Sequence, residues 1–293
     1  MSLRDVLHNK RILVTGASGW IGQEFLCQLQ AAFGKLEHLD LNCTASKQKT
    51  ISIHGEAIEC KSLHSIIDSP PYDLIVHFAF ALPNPSEAIK VDEYIKINRE
   101  ITTLAKTLFD QNQNALKLIM SSGAAADGNN FAHSDLLRNY SLLKQNMESE
   151  LRDSNSLVAR LWSATGHHLP LDSHYALAGF IRKARVNQDI FIQNNVLRSY
   201  VYVSEMLDDA LNNLYKGGRG VRNSGGYTVS LSELADVTVS TMNSKSRVIV
   251  EKRSHDTKLD YVSPESKIGS TNFEKFSSVE DQISKMIRKI YEY

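Results

Sequence analysis

The chain has 293 residues, which is enough for one large domain or two of modest size. Hydrophobic residues make up 42% of it and charged residues 23%, so wholesale disorder is excluded and a core of ordinary size is possible. There are 33 lysines and arginines and 33 aspartates and glutamates. The resulting net charge of zero argues against a nucleic-acid-binding protein that depends on bulk charge.

The cysteines and the apolar segments narrow the class of protein further. Three cysteines, an odd number without a CxxC spacing, are typical neither of a disulfide framework nor of a zinc site: Cys27, Cys43 and Cys60. Residues 1–11 contain no apolar region of a signal peptide, and the longest apolar stretch, 74–82, is far too short to cross a membrane. We therefore expect a cytoplasmic protein with no nucleic-acid or membrane partner.

Short apolar runs alternate with helical patterns in the first half of the chain. The apolar runs predict strands at 11–15, within 36–45, and at 73–79, 116–121 and 157–161. Between the strands, the patterns predict helices over 22–32, 98–109 and 140–151. This alternation predicts a doubly wound α/β fold, in which a parallel sheet carries helices on both faces.

The rhythm changes after residue 163. A loop is expected at 167–173, a strand at 198–203, and helices at 175–186, 204–215 and 230–242. The last helix has an N-cap in Ser230 or Ser232, followed by Glu233. Two adjacent histidines in the loop have no third ligand at a credible spacing, so no metal site is predicted. The pattern after residue 163 predicts a smaller α/β lobe.

A glycine-rich loop follows the first predicted strand and opens the first predicted helix. Its sequence, GASGWIG at 16–22, has the spacing G-x-x-G-x-x-G. Glycines allow backbone N–H groups to approach a pyrophosphate, and the N-terminus of the helix adds partial positive charge. We expect this loop to bind the pyrophosphate of a dinucleotide through Gly16, Gly19, Trp20, Ile21 and Gly22.

The second predicted strand decides which dinucleotide is bound, and its sequence leaves two registers open. If the strand is short, Asp40 lies at its end and accepts hydrogen bonds from both ribose hydroxyls, which selects NAD. If the strand continues through Cys43, Ser46 and Lys47 lie at its end, and the lysine favours the 2′-phosphate of NADP. The cofactor is therefore expected to be NAD or NADP, with NAD preferred.

Tyr140 and Lys144 are four residues apart, so a helix places them on one face, one turn apart. An ammonium beside a phenol favours the phenolate and lowers a tyrosine pKa from its usual ~10 toward neutrality. Such a tyrosine exchanges a proton with a sugar hydroxyl while a hydride moves to or from nicotinamide. The preceding predicted strand ends at Ser121 and Ser122, where a serine hydroxyl would orient the same substrate oxygen.

Together these motifs resemble the extended short-chain dehydrogenase/reductases, the NAD-dependent epimerase/dehydratase family that acts on nucleotide sugars. The resemblance covers nearly the whole chain and implies a Rossmann fold. Besides the motifs above, it rests on DLIVHFA at 73–79, KINRE at 96–100, SSG at 121–123, RLWSATG at 160–166, RSYVYVSEM at 198–206, NSGGYTVSLSELA at 223–235 and RSHD at 253–256.

The resemblance implies roles for individual residues. Along the cofactor it implies Ala79 near the adenosine ribose, together with Asn98 and Ser121. Its catalytic group is Ser122, Tyr140 and Lys144, and Lys144 would also bind the nicotinamide ribose. Ser163 stands where the family often has an asparagine facing the substrate phosphates, and two arginines would bind the nucleotide diphosphate: Arg198 and Arg253.

Departures from the family pattern narrow the chemistry that the resemblance implies. The 4,6-dehydratases carry an Asp-Glu pair after the catalytic serine or threonine, but this chain has Gly123 and Ala124. The glutamate typical of nucleotide-sugar decarboxylases is also missing, and an alanine in 124–126 replaces the usual tyrosine of the sugar pocket. The remaining reactions need only Ser, Tyr and Lys, namely 4-epimerisation or 4-keto reduction.

The expected protein is therefore an NAD(P)-dependent enzyme that acts at C4 of a nucleotide-activated sugar in polysaccharide biosynthesis. Its dinucleotide-binding domain would be 1–162, to which 191–221 returns, and its substrate lobe 163–190 and 222–293. A homodimer is expected through the helices around 98–110 and 140–151. The alternative function is a non-catalytic dinucleotide-binding sensor or interaction protein.

Overall fold

The computed structural model describes residues 3–67, 69–82, 90–126, 135–251, 260–268 and 276–291. Its helices are α1 (Leu3–Leu7), α2 (Trp20–Phe33), α3 (Val91–Gln111), α4 (Asp135–Leu151), α5 (Ala176–Arg185), α6 (Val203–Tyr215), α7 (Leu231–Thr241) and α8 (Val279–Tyr291). Its strands are β1 (Arg11–Thr15), β2 (Asp40–Ala45), β3 (Lys49–Ile53), β4 (Glu56–Ser62), β5 (Leu74–His77), β6 (Leu116–Ser122), β7 (Ser156–Leu161), β8 (Ser163–Thr165), β9 (Ile190–Ile192), β10 (Leu197–Tyr202), β11 (Gly220–Asn223), β12 (Tyr227–Ser230), β13 (Val248–Val250) and β14 (Lys267–Ile268).

The chain forms two compact units. The first comprises Met1–Arg160 and Leu207–Arg222, and the second comprises Leu161–Met206 and Asn223–Tyr293. The returning segment is therefore shorter than the predicted 191–221. Residues 191–206 belong to the second unit because β10 pairs there with β8 and β12. The assignment of the two units to cofactor and substrate stays a prediction.

An eight-stranded sheet with the order β11-β7-β6-β5-β1-β2-β4-β3 forms the centre of the first unit. Strand β1 pairs in parallel with β2 and β5, β5 with β6, and β2 with β4. Consecutive side chains of β1 point to opposite faces, and Ile12, Leu13 and Val14 are all fully buried. Both faces of the sheet are covered at its centre, so the predicted doubly wound fold is confirmed.

Helices α3 and α4 pack on one face of this sheet. The apolar stripe predicted over 98–109 lies on α3, where Ala105, Leu108 and Phe109 are buried against Met147 and Leu151 of α4. Both helices begin several residues earlier than predicted, at Val91 and Asp135. None of the helices in the described part of the chain is long and apolar enough to span a bilayer.

The hairpin of β3 and β4 is an element that the sequence analysis missed. The two strands are antiparallel, and Ile53 pairs with Glu56 across a two-residue turn. His54 has a φ of 42° and Gly55 a φ of 85°, as a type I′ turn requires. The strands lie at the edge of the sheet and bury few side chains, so their sequence lacks the continuous apolar run that identified β1 and β5.

The second unit contains a four-stranded sheet, β14-β12-β10-β8, and a two-stranded sheet of β9 and β13. Strand β10 is antiparallel to β12 and parallel to β8. The predicted N-cap of α7 is confirmed, because the Ser230 side chain accepts from the Glu233 backbone and the Glu233 carboxylate accepts from the Ser230 backbone.

Candidate functional site

The glycine loop is packed so tightly that side chains are excluded at two positions. Gly16 has a φ of 69°, and a Cβ added to it would lie 2.6 Å from the backbone nitrogen of Ala79. A Cβ on Gly22 would lie 2.5 Å from the carbonyl oxygen of Gly16. The loop after β1 therefore touches both the chain after β5, at Ala79, and the first turn of α2. The predicted contact of Ala79 with the adenosine ribose stays a prediction.

The N-terminus of α2 offers backbone donors to an anion. The helix begins at Trp20 with Gly19 as its N-cap, and no cap side chain occupies the first N–H groups. Its first turn contains no acidic residue that would repel an anion. The sequence between Gly16 and Gly22 thus forms a cradle of the kind that binds a pyrophosphate.

Asp40 lies at the wrong end of β2 for the predicted ribose contact. In the parallel register with β1, Arg11 pairs with Asp40 and Val14 with Cys43, so Asp40 begins the strand. It is exposed and forms an ion pair with the partly buried Arg11 side chain at 3.8 Å. At about 3.3 Å per residue, it is roughly 16 Å from the strand end that adjoins the glycine loop. The prediction failed because β2 starts at Asp40 instead of ending there.

Ser46 and Lys47 follow the carboxyl end of β2, so the longer of the two predicted registers is the one that forms. The backbone nitrogen of Ala17 donates to the carbonyl oxygen of Thr44 at 2.9 Å, which fastens this end of β2 to the glycine loop. Both Ser46 and Lys47 are exposed, and Lys61 lies on β4 opposite Thr44. This edge of the sheet carries positive charge beside the loop.

The short turn that follows β6 links Ser122 to helix α4 through hydrogen bonds. Ser122 Oγ accepts a hydrogen bond from the backbone nitrogen of Ala124 at 3.2 Å. Ser141 Oγ donates to the Ala124 carbonyl at 2.7 Å, and the Gln145 side chain donates to the next carbonyl, that of Ala125, at 2.9 Å. These bonds hold the α4 turns that carry Tyr140 and Lys144 against the end of the strand that carries Ser122.

Lys144 is a buried cation on α4, with only 5% of its surface exposed. Burial lowers its pKa to about 7, and the Glu148 carboxylate one turn away opposes that shift. Arg160 holds the same carboxylate through two hydrogen bonds, of 2.9 and 2.6 Å. Glu148 and Arg160 were not assigned a role from the sequence, although the i, i+4 spacing of Lys144 and Glu148 is visible there.

Two buried residues hold the chain at the end of β5. His77 is fully buried with its Nδ1 2.8 Å from Thr15 Oγ1, and burial lowers its pKa to about 3, so it is neutral at physiological pH. Asn98 accepts from the Ala81 nitrogen at 2.9 Å and donates to the Ala81 oxygen at 3.1 Å. Asn98 therefore fixes the backbone after β5, and its predicted contact with a cofactor stays a prediction.

Ser121 precedes Ser122 on β6, and its buried hydroxyl has no hydrogen-bond partner among the described residues. A ligand oxygen that reached it would satisfy a polar atom that is otherwise costly to bury. Gly16, Ala79, Ser121 and Ser122 all lie at or just after the carboxyl ends of parallel strands, which is where doubly wound folds bind their ligands.

The second unit brings together two of the three predicted substrate residues. Ser163 pairs with Tyr200 across β8 and β10, so Arg198, two residues before Tyr200, lies on the same sheet face as Ser163. The Arg198 guanidinium lies 5.7 Å from the ring centroid of Tyr261. Arg253 lies outside the described residues. Within the described ranges, no group of three or more His, Cys, Asp or Glu side chains could hold a metal ion.

Solved structures of similar fold include a UDP-sugar 4-epimerase and proteins in complex with NAD or NADPH. A UDP-N-acetylglucosamine 4-epimerase from Methanobrevibacter ruminantium, in complex with UDP-N-acetylmuramic acid, is 18% identical with a TM-score of 0.68, over 97% of this chain and 98% of its own. The enzyme WbmG from Bordetella bronchiseptica, in complex with NAD, is 19% identical with a TM-score of 0.70, over 97% and 94%. RMD from Pseudomonas aeruginosa, complexed with NADPH, is 18% identical with a TM-score of 0.66, over 96% and 98%.

No curated protein sequence matches the chain. The sequence pattern of the NAD dependent epimerase/dehydratase family matches residues 12–217, well over half of the chain. This range begins in β1 and includes the glycine loop, Ser122, Tyr140 and Lys144. The chain belongs to the NAD dependent epimerase/dehydratase family.

Proposed function

We propose that this protein oxidises or reduces C4 of a nucleotide-activated sugar, as a 4-keto reductase or a 4-epimerase that uses NAD or NADP. The observation that carries the proposal is the arrangement of Ser122, Tyr140 and Lys144, in which two hydrogen bonds join α4 to the turn after Ser122. The names of the structural neighbours support it, since they include a UDP-sugar 4-epimerase and enzymes complexed with NAD and NADPH.

The residues present fit a dinucleotide. Added Cβ atoms on Gly16 and Gly22 would collide with backbone atoms, so the cradle keeps the close backbone approach that a pyrophosphate needs. In this proposal the pyrophosphate lies on the N-terminus of α2, the adenosine ribose near Ala79, and the nicotinamide ribose near Lys144. When bound, the nicotinamide supplies or accepts the hydride.

The register of β2 favours NADP over NAD. It removes Asp40, the carboxylate that would have bound both ribose hydroxyls, from the carboxyl edge of the sheet. It brings Ser46 and Lys47 to that edge, where a hydroxyl and an ammonium suit a 2′-phosphate. A preference for NADPH is in turn more natural for a reductase, which exchanges its cofactor at each turnover, than for an epimerase, which retains it.

Tyr140 is the proposed acid and base. Its phenolate takes the proton of the C4 hydroxyl when the sugar is oxidised, and its phenol returns a proton to the C4 oxygen when the ketone is reduced. The Lys144 ammonium stabilises the phenolate, and Ser122 Oγ donates a hydrogen bond to the same sugar oxygen. His77 is buried and neutral, so it adds no charge that competes with Lys144.

Residues of the second unit are proposed to bind the nucleotide part of the substrate. The Arg198 guanidinium and the Ser163 hydroxyl share one face of the four-stranded sheet, where they suit a diphosphate. Arg253 is proposed as a further phosphate ligand. A homodimer through α3 and α4 and a cytoplasmic location stay predictions.

The first test is mass spectrometry of the purified protein under native and then denaturing conditions, followed by titration with NADPH and NADH. Tighter binding of NADPH than of NADH supports the assignment of Ser46 and Lys47. NAD that co-purifies and is retained through turnover contradicts that assignment and favours an epimerase. If neither dinucleotide binds, the proposed function is wrong.

The second test separates an enzyme from a non-catalytic dinucleotide-binding protein. With UDP-linked hexoses and 4-keto hexoses as substrates, we expect Tyr140→Phe to reduce kcat by roughly 10²- to 10⁴-fold, because it removes the proton donor. Dinucleotide affinity should change less than about twofold, since the variant keeps the ring. Tyr175→Phe, an exposed position in the second unit, is the matched control. Turnover that survives in Tyr140→Phe contradicts the catalytic role.

A further inference from the structure

Phe80, which follows Ala79 after β5, contacts both members of the proposed catalytic pair. Lys144 Nζ lies 3.7 Å from the centroid of the Phe80 ring. The ring of Tyr140 meets the same ring edge to face, with centroids 5.8 Å apart and an angle of 82° between the planes. One aromatic side chain from the end of a strand therefore touches two side chains that α4 presents one turn apart.

Hydrogen bonds fix the backbone on both sides of Phe80. Thr15 Oγ1 accepts from the Ala79 nitrogen at 3.4 Å, and the buried Asn98 amide binds both the nitrogen and the oxygen of Ala81. The Phe80 side chain is partly buried and packs against the core that α3 and α4 share with the sheet. A large displacement of Phe80 would break hydrogen bonds to a buried amide, so its ring has a defined position beside Lys144.

We propose that Phe80 is a positioning residue of this site, whose ring face holds the Lys144 ammonium in place beside Tyr140. The inference rests on the proposed function, because it assigns a role within the same site. A cation over an aromatic face is attracted by the ring quadrupole, and the attraction is strongest where water is excluded. The ring thus offsets part of the free energy that burying the Lys144 charge costs. An aliphatic side chain of similar size would not offset it.

The other groups around Lys144 differ in whether they favour its charged form. Burial in the apolar surroundings disfavours the ammonium, and Glu148 on the same helix favours it. His77, from β5, is neutral, and Tyr94, from α3, interacts with Tyr140 and has its own pKa raised by burial. Among these described groups, Glu148 is the one carboxylate, and Arg160 donates two hydrogen bonds to it. The Phe80 ring face, 3.7 Å from Nζ, is therefore a second group beside Glu148 that favours the charged form of Lys144.

The test is an NMR titration of Lys144 in the ligand-free protein, labelled with [6-¹³C]lysine and assigned with Lys144→Met. Phe80→Leu keeps an apolar side chain but removes the ring face, and Phe80→Tyr keeps the ring. We expect Phe80→Leu to lower the pKa of Lys144 by roughly 0.4 to 1.5 units. Phe80→Tyr should change it by less than about 0.3 unit. If Phe80→Leu fails to fold, as judged by circular dichroism, Phe80→Met is the second ring-free variant.

A Lys144 pKa that is the same in the ring-free variant and the wild type overturns the proposal. In turnover assays, the alkaline limb of the kcat/KM profile should move to lower pH in Phe80→Leu and recover in Phe80→Tyr, a pattern that lost packing alone would not produce. The titration uses neither cofactor nor substrate. Its failure therefore leaves the proposed reaction standing, whereas turnover that survives in Tyr140→Phe overturns the reaction and leaves the ring–ammonium contact standing.

Discussion

The two lysines at opposite ends of the proposed cofactor site, Lys144 and Lys47, differ in burial. Lys144 is buried beside the Phe80 ring, and Glu148, which Arg160 holds through two hydrogen bonds, lies one turn along the same helix. Lys47 stands exposed after β2. A buried charge acts strongly because water is absent, but it must be compensated by its neighbours. An exposed charge costs the fold little and acts weakly, through an attraction that salt screens. Substitutions at the two ends should therefore differ in kind as well as in size.

The largest expected effect comes from removing the partner of the buried carboxylate. Arg160→Met leaves Glu148, whose side chain is 7% exposed, without its two guanidinium hydrogen bonds. We expect the free energy of unfolding to fall by about 3 to 5 kcal/mol, measured by urea denaturation at pH 7.5. The double variant Glu148→Gln/Arg160→Met should recover part of the loss, because it leaves no unpaired carboxylate in the place of Glu148. A single variant as stable as wild type would show that this network is effectively solvated.

A pH titration of stability tests the buried end directly. The pKa of Lys144 is about 7 in the folded protein and near its ordinary value of 10.5 in the unfolded chain. Between these values the unfolded state binds more protons, so stability must rise with pH. Relative to Lys144→Met, we expect the wild type to gain about 1 kcal/mol per pH unit from pH 7.5 to 9.5. A difference that is flat over this window contradicts the burial of an ionisable Lys144.

A smaller effect is expected from the hydrogen bond that fixes α4 to the turn after β6. Ser141→Ala removes the donor to the Ala124 carbonyl, a 2.7 Å bond in a buried position. Thermal and urea unfolding should show a loss of about 1 to 2 kcal/mol, and kcat should fall more than KM changes because Tyr140 is the adjacent residue. Ser154→Ala, at an exposed site in the same unit, is the control. An effect on stability without any effect on kcat would separate the bond from the positioning of Tyr140.

The smallest effect is expected at the exposed end. Lys47→Ala should weaken NADPH binding by about three- to tenfold at low ionic strength and leave NADH binding and stability unchanged, because it removes a surface charge. The effect should shrink in 0.5 M salt. Lys35→Ala, an exposed lysine paired with Glu37 before β2, should change neither affinity. Equal losses for NADPH and NADH would show that Lys47 does not distinguish the two cofactors.

The parts of the fold that follow from local sequence were predicted well. The apolar run of β1 has the predicted bounds, and the i, i+4 spacing placed Tyr140 and Lys144 on one helix. The β3–β4 hairpin was missed because its strands are half exposed and its turn uses His54 and Gly55. Asp40 was misplaced because residue counting alone does not fix where a polar strand starts. Only the register with β1 decides which end of β2 meets the glycine loop.

The contacts that shape the site depend on residues far apart in the chain, so the sequence could not reveal them. Phe80 and Lys144 are 64 positions apart, and the hydrogen bonds of Asn98 to Ala81 span 17. Nothing in the pattern of either segment indicates that a phenylalanine after β5 meets an ammonium on α4. The family resemblance transferred roles to Ser122, Tyr140 and Lys144, but it contained no information about Phe80, because that residue belongs to none of the transferred motifs.

The order of the two units along the chain has a consequence for biosynthesis. The first unit takes its last segment, Leu207–Arg222, after the chain has passed through Leu161–Met206 of the second. The eight-stranded sheet can therefore acquire its edge strand, β11, only after residue 222 has been synthesised. A fragment that stops at residue 160 would leave β7 as an unpaired edge, open to pairing with other chains. Neither unit is one contiguous segment that could be transferred to another protein. Nascent chains arrested between residues 160 and 222 should depend on chaperones.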